Sequence, residues 1–119
     1  NKELKKAKLY FEKIIEINKS IEGVYYNLGR LELSLENYNA SIGLFRKTLE
    51  INPKLPTAEV NLGLAYSKYG NEKLAIKHYK KAIILNPKSY IAHFNLGSLY
   101  KKKGDLENSE KYLNNSIKI

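Results

Sequence analysis

The sequence contains no cysteine, methionine or tryptophan, and only two histidines. Without cysteine there can be no disulfide, thiolate nucleophile or cysteine-ligated metal, and this absence favours a reducing, intracellular compartment such as the cytoplasm. No apolar run approaches the roughly 20 residues that a membrane-spanning helix needs. No signal-peptide pattern opens the chain, since Lys2, Glu3 and Lys5 interrupt the apolar residues there. Because methionine is missing, we expect that Asn1 is not a native start.

Positively charged residues outnumber negatively charged ones, 21 to 12. The net charge is +9, made up of +3 in residues 1–55 and +6 in residues 56–119. A basic excess favours acidic partners, nucleic acid or anionic membrane surfaces. A simpler interpretation is a solvated lysine-rich surface, and we prefer it because lysine, asparagine and isoleucine are all abundant, as in translation of an AT-rich genome.

Apolar residues recur with the helical period in seven segments, and strand patterns are absent. The predicted helices span residues 1–19, 21–35, 38–51, 57–69, 72–85, 90–103 and 106–119. Their predicted inward-facing residues are Leu4, Ala7, Phe11, Ile14, Ile15, Val24, Leu28, Leu31, Leu35, Ala40, Ile42, Phe45, Leu49, Ala58, Leu62, Ala65, Tyr69, Ala75, Ile76, Tyr79, Ala82, Ile83, Ala92, Leu96, Leu99, Leu106, Leu113 and Ile117.

Short breaks separate these helices. Asn37, Asn71 and Asp105 suit N-caps, because their side-chain oxygens can accept an unpaired N–H of the following turn. Gly70 suits the left-handed conformation that closes a helix. Proline follows asparagine at 52–53 and at 86–87, and it ends a helix because it has no N–H. Connections this short predict antiparallel packing of successive helices.

The tetrapeptides that end in Asn-Leu-Gly set the period of the chain. Their glycines, Gly29, Gly63 and Gly97, lie 34 residues apart. Each lies inside a predicted helix, where glycine costs about 0.8–1 kcal/mol relative to alanine. We therefore predict that the paired helix approaches closely at each glycine, with Ala75 and Ala82 as small partners on the other side.

This pattern resembles the tetratricopeptide repeat (TPR) over the whole chain. The second unit carries the motif residues Leu62, Gly63, Tyr66, Ala75, Tyr79, Ala82 and Pro87. The first unit departs at Glu32, Ser41 and Thr48, and the third has Ser109, Leu113 and Ser116. The resemblance implies an all-α, right-handed solenoid of antiparallel helix pairs in one domain. Its parts would be a second helix of a partial repeat (1–21), two repeats (22–55 and 56–89) and a truncated repeat (90–119).

In TPR arrays the first helix of each pair lines the concave surface, so the resemblance implies a groove that binds a protein ligand, as an extended peptide or a partner helix. The predicted groove residues are Tyr26, Asn27, Arg30, Val60, Asn61, Leu64, Lys68, Phe94, Asn95, Ser98, Lys101 and Lys102. Asn27, Asn61 and Asn95 would form a column similar to the asparagine ladder of O-linked N-acetylglucosamine transferases. An amide both donates and accepts, so it can pair with a peptide backbone. Alternatively, asparagine before Leu-Gly is common in TPRs and marks no ligand.

Within the predicted groove, Tyr26, Val60 and Phe94 would offer apolar pockets. Arg30 and the predicted groove lysines would attract acidic side chains or a carboxylate. The carboxylate clamp of chaperone-binding TPRs is a different site, and the chain resembles it only at Asn61.

Catalytic chemistry is disfavoured. His78 lies among lysines on a predicted solvated outer face, and His93 lies near the start of a helix. Neither has a metal-ligand partner three or four residues away, and no phosphate-binding loop is present. The sequence therefore predicts no catalytic, cofactor or metal site, and a non-enzymatic scaffold for protein–protein interaction.

Two other functions stay open. The chain could be an architectural or oligomerisation segment of a larger TPR protein, self-associating through exposed terminal helices. Nucleic acid is a disfavoured partner, because Tyr66, Tyr79 and Tyr100 match core positions of the repeat rather than a stacking surface.

Overall fold

The computed structural model describes residues 2–19 and 21–118. Within those ranges the chain forms seven α-helices and no strand, which confirms the predicted all-α class. The helices are α1 (Lys2–Ile17), α2 (Glu22–Ser34), α3 (Tyr38–Ile51), α4 (Pro56–Tyr69), α5 (Glu72–Leu85), α6 (Tyr90–Lys103) and α7 (Leu106–Lys118). The predicted helix ends at residues 1 and 119 lie outside the described residues. The chain divides into two compact units after Lys54, with α1–α3 in the first and α4–α7 in the second.

In the first unit, α1 and α3 each pack against α2. The predicted face of α1 is half-buried, whereas Ile42 and Phe45 of α3 are fully buried. Ala40, predicted to face inward, is exposed instead, and Ser41 takes the buried place. The reason is helical phase: Ser41 shares the face of Phe45 and Thr48, at spacings of four and seven residues.

The turn between α2 and α3 holds Glu36 in a left-handed conformation with φ of 62°. Asn37 is the N-cap of α3, as predicted, but its side chain makes no capping hydrogen bond. The Asn37 side chain is exposed, whereas that of Asn71 is half-buried and accepts a bond of 3.2 Å from the Leu74 N–H. Solvent exposure removes the need for a protein partner at Asn37.

In the second unit, α4, α5, α6 and α7 enclose one core. Its buried cluster consists of Val60, Ala75, Tyr79, Ala82, Ala92, Leu96, Leu99 and Tyr100. Three predicted inward-facing residues are exposed: Tyr69 by 55%, Leu106 by 68% and Ile117 by 81%. Each lies in the first or last turn of its helix, where few neighbouring side chains reach it.

The recurring glycines do permit close helix approach, as predicted. A Cβ added to Gly63 would lie 2.8 Å from the Tyr79 ring and 3.2 Å from the Ala75 carbonyl oxygen. At Gly29 the same atom would lie 2.7 Å from the ring of Phe45. The principal partner is therefore a large side chain in the facing helix. Of the two predicted small partners, Ala75 is among the nearest contacts, through its backbone oxygen.

Candidate peptide-binding cleft

A cleft of about 340 Å³ lies between α4 and α6 in the second unit. Helix α4 supplies one residue and the two that follow it by three and four positions, so all three share a helical face, and α6 supplies five residues. Tyr79 reaches the cleft from α5. The full lining is Leu64, Ser67, Lys68, Tyr79, Phe94, Asn95, Ser98, Leu99 and Lys102.

The cleft brings together six of the residues predicted from sequence to line a groove. These are Leu64, Lys68, Phe94, Asn95, Ser98 and Lys102. Val60 lies in the buried core of the unit, so it cannot offer an exposed apolar surface there. Asn61 is half-buried and Lys101 is exposed, and neither lines the cleft.

The remaining predicted groove residues belong to the first compact unit. Tyr26 is half-buried with its ring centroid 6.0 Å from that of Phe45. The Arg30 guanidinium lies 5.9 Å from the Tyr26 ring centroid. Asn27 is exposed on α2. The asparagine column therefore stays a prediction.

The lining is chemically mixed. Phe94 is 51% exposed, so an aromatic face is open to a partner. Asn95 adds an amide, and Ser67 and Ser98 add hydroxyls. Lys68 and Lys102 add two ammonium groups, and none of the described residues that line the cleft is acidic. The cleft can thus contact apolar groups, pair with a peptide backbone and attract negative charge.

Sequence reasoning missed Ser67, Leu99 and Tyr79 as lining residues. Tyr79 was assigned to the core, and its ring is indeed buried, with the residue only 2% exposed. Burial also raises the pKa of Tyr79 well above its ordinary value, because the phenolate would lose hydration. One signal was available: Tyr79 has a hydroxyl where the equivalent residue 34 positions earlier is Phe45.

Both histidines take part in structural contacts. The prediction that His78 lies on a solvated face is wrong. Its Nδ1 lies 2.7 Å from Oε2 of buried Glu59, and its ring stacks on Tyr66 at 5.5 Å. Helical phase turns His78 toward α4, away from the neighbouring lysines. His93 is buried, and its Nε2–H donates to the Pro87 carbonyl at 3.0 Å.

Among residues 2–19 and 21–118, His, Asp and Glu side chains form no group of three suited to a metal ion. Asp105 is occupied as a cap: hydrogen bonds from the Asn108 side chain and N–H hold the pKa of its carboxyl below its usual value. Across the described helices, none has both the length and the apolar content needed to cross a bilayer.

Three family models, each described as tetratricopeptide repeat, match residues 23–55, 56–89 and 78–111. The chain belongs to the tetratricopeptide repeat family. TPRs are typically non-enzymatic modules for protein interaction, and the helix pairs described above have this fold. No curated protein matches the sequence significantly.

Solved structures of MamA are similar to this TPR chain. "MamA 41-end from Desulfovibrio magneticus RS-1" aligns with a TM-score of 0.93 at 21% identity, covering 98% of this chain and 66% of the other. "Crystal structure of MamA" aligns with a TM-score of 0.87 at 25% identity, covering 91% of this chain and 63% of the other. The TPR chain thus spans less than two thirds of the length of these structures, and the likeness shows the fold.

Proposed function

We propose that this chain is a non-enzymatic protein–protein interaction module that binds an extended peptide in the α4–α6 cleft. The observation that carries the proposal is the cleft lining. It combines an exposed aromatic ring, an amide and two lysines on facing helices of one compact unit. Peptide-binding sites need this combination of an apolar anchor and oriented polar groups.

The cleft geometry suits an extended backbone. Neighbouring helices lie about 8–10 Å apart, and an extended chain rises about 3.3 Å per residue. A peptide crossing from α4 to α6 would therefore place about every third residue against a helix. Asn95 would pair with its backbone, while Phe94 and Leu64 contact an apolar side chain.

The proposal also includes predicted groove residues that do not line the cleft, together with the predicted repeat boundaries. Asn61 in the second unit, and Asn27, Tyr26 and Arg30 on α2 of the first unit, would also serve as peptide contacts. The repeat boundaries at 22, 56 and 90 would hold as the domain scheme.

A second candidate function is an architectural or oligomerisation segment. It is favoured by α1, which exposes Leu9, Tyr10 and Ile17. This function predicts that substitutions in α1, rather than in the cleft, change the oligomeric state.

Peptide display tests the first proposal. A library of random extended peptides is selected on the immobilised chain, and Kd values of the recovered peptides are measured for wild type and Phe94→Ala. We expect Phe94→Ala to weaken binding more than about tenfold, as removal of an aromatic anchor does. Tyr90→Ala is the matched control, because Tyr90 is equally exposed on α6 but does not line the cleft. Failure to recover any peptide, or equal losses in both variants, would refute the proposal.

A further inference from the structure

The hydroxyl of Tyr79 has no assigned role in the fold. The Tyr79 ring packs against Gly63, where an added Cβ would lie 2.8 Å from Cδ1 and Cε1. Within the described residues no hydrogen bond reaches the Tyr79 hydroxyl, and this oxygen is not among the buried polar atoms sealed from solvent. Because Tyr79 also lines the α4–α6 cleft, we expect its hydroxyl to meet solvent there.

The other helix pairs show that packing does not require this hydroxyl. Thirty-four residues earlier the equivalent position is Phe45, which is fully buried and contacts Gly29 as Tyr79 contacts Gly63. Thirty-four residues later it is Leu113, which contacts Gly97. An unpartnered hydroxyl on an otherwise buried ring costs free energy unless a partner or water satisfies it. Since the Tyr79 hydroxyl is not needed for packing and has no hydrogen bond among the described residues, it is available to a ligand in the cleft.

We propose that the Tyr79 hydroxyl, together with Lys68 and Lys102, binds a carboxylate of an extended acidic peptide and determines the specificity of the cleft. This inference rests on the proposed peptide-binding function and names the ligand class. The occupant is an acidic segment of a partner protein.

Charge complementarity supports this occupant. Lys68 and Lys102 stand 34 residues apart in sequence, on the last turns of α4 and α6, and both line the cleft. Within the part of the chain that the structure describes, no acidic residue lines the cleft to oppose them. Residues 56–119 also carry a net charge of +6, so an acidic segment is attracted before it docks. A tyrosine with the ordinary pKa of about 10 is already protonated at neutral pH, and burial raises the pKa of Tyr79 further, so its phenol can donate to a carboxylate.

Matched peptides test the inference. Pools of acetylated, amidated peptides of about seven residues, long enough at ~3.3 Å per residue to cross the cleft, carry Glu, Gln, Leu or Lys at a fixed centre. Fluorescence polarisation measures their Kd for wild type, Tyr79→Phe, Lys102→Ala and Lys101→Ala. We expect the Glu pool to bind about tenfold more tightly than the Gln pool.

The variants separate the contribution of the Tyr79 hydroxyl to binding from that of the lysine charge. Tyr79→Phe removes only the hydroxyl, and Phe45 shows that the ring environment accepts phenylalanine. It should weaken the Glu pool about tenfold, as loss of a bond to a charged group does, and leave the Leu pool within twofold. Lys102→Ala should also weaken the Glu pool, whereas Lys101→Ala should not, because Lys101 does not line the cleft.

Each outcome is decisive. If pools bind but Glu is not preferred, or Tyr79→Phe changes all pools equally, this inference is refuted while the proposed function stands. Tight binding of the Lys pool would likewise refute the acidic ligand class. If no pool binds, both proposals fail, and sedimentation then shows whether the chain self-associates instead.

Discussion

Two helix pairs, α2–α3 and α4–α5, follow the same repeat pattern but achieve it with different chemistry. Both place a glycine against an aromatic ring, Gly29 against Phe45 in one and Gly63 against Tyr79 in the other. Around this shared contact, α4–α5 buries Ala75 and Ala82. At the same places 34 residues earlier, α2–α3 buries Ser41 and Thr48.

The buried hydroxyls of α3 find partners within their own helix. Ser41 Oγ donates to the Tyr38 carbonyl at 2.9 Å, and Thr48 Oγ1 donates to the Leu44 carbonyl at 2.9 Å. A buried hydroxyl that is satisfied locally needs little more room than a methyl group. The repeat positions held by Ser41 and Thr48 therefore require a small side chain rather than an apolar one.

The two pairs differ most at the position of Glu32 and Tyr66. Tyr66 stacks on His78 within its own pair, whereas Glu32 is 3% exposed and pairs with Lys8 of α1, Nζ to Oε1 at 3.1 Å. Oε1 of Glu32 has no hydrogen bond of good geometry, so the attraction is electrostatic. The α2–α3 pair therefore depends on α1 in a way that has no counterpart at Tyr66.

Breaking the ion pair between Lys8 and Glu32 should give the largest loss of stability. Lys8→Met leaves the buried Glu32 carboxylate without a counter-charge. Loss of one partner of a fully buried pair costs about 3–5 kcal/mol. The Lys8 side chain is 36% exposed, so we expect about 2 kcal/mol of destabilisation in the first unit. Amide hydrogen exchange in α2 and α3 measures it.

Lys6→Met is the control, because Lys6 is exposed on the same helix. Adding Glu32→Gln to Lys8→Met should recover part of the loss, since no buried charge is then left unpaired. If Lys8→Met matches Lys6→Met within about 0.5 kcal/mol, which is the usual range of surface substitutions, the ion pair does not stabilise the unit.

Exchanging phenylalanine and tyrosine at positions 45 and 79 should change the free energy of unfolding by an intermediate amount, and by more at Phe45 than at Tyr79. Phe45→Tyr adds a hydroxyl to a fully buried ring that lies close to Gly29, so we expect the added group to be cut off from water. We expect about 1–3 kcal/mol of destabilisation from the unsatisfied group. Tyr79→Phe removes a hydroxyl that has no hydrogen bond among the described residues, so stability should change by less than about 0.5 kcal/mol.

Urea denaturation followed by circular dichroism measures both exchanges. Equal losses in the two variants would show that the Tyr79 hydroxyl has a structural partner. Such a result would also remove the basis for its role in the cleft.

Much of the fold could be predicted from sequence because helix periodicity and the glycine spacing report packing directly. Seven helices and the close approach at Gly63 followed from these signals. The errors at Tyr69 and Leu106 arose because a periodic stripe continues into terminal turns that no neighbour covers. The error at His78 arose because its acidic partner, Glu59, lies on another helix, 19 residues away.

The candidate site was partly predictable for a related reason. Phe94, Asn95 and Lys102 lie on one exposed face of one helix, so their spacing places them together. Tyr79 could not be assigned to the cleft, since periodicity reports that a ring is buried but not where its hydroxyl emerges.

The smallest change in stability is expected at Ser41, because serine there and alanine at the equivalent position, Ala75, differ in polarity but are similar in size. Ser41→Ala removes a hydroxyl together with its bond to the Tyr38 carbonyl, and alanine has the higher helix propensity by up to about 0.7 kcal/mol. These terms oppose each other, so the free energy of unfolding should change by less than about 0.5 kcal/mol in either direction. Ser34→Ala is the matched control, because its exposed hydroxyl makes the same kind of bond, to the Arg30 carbonyl at 3.1 Å. A loss above about 1 kcal/mol at Ser41 alone would mean that the buried hydroxyl has a specific role, and that size is not the sole requirement at this place in the repeat.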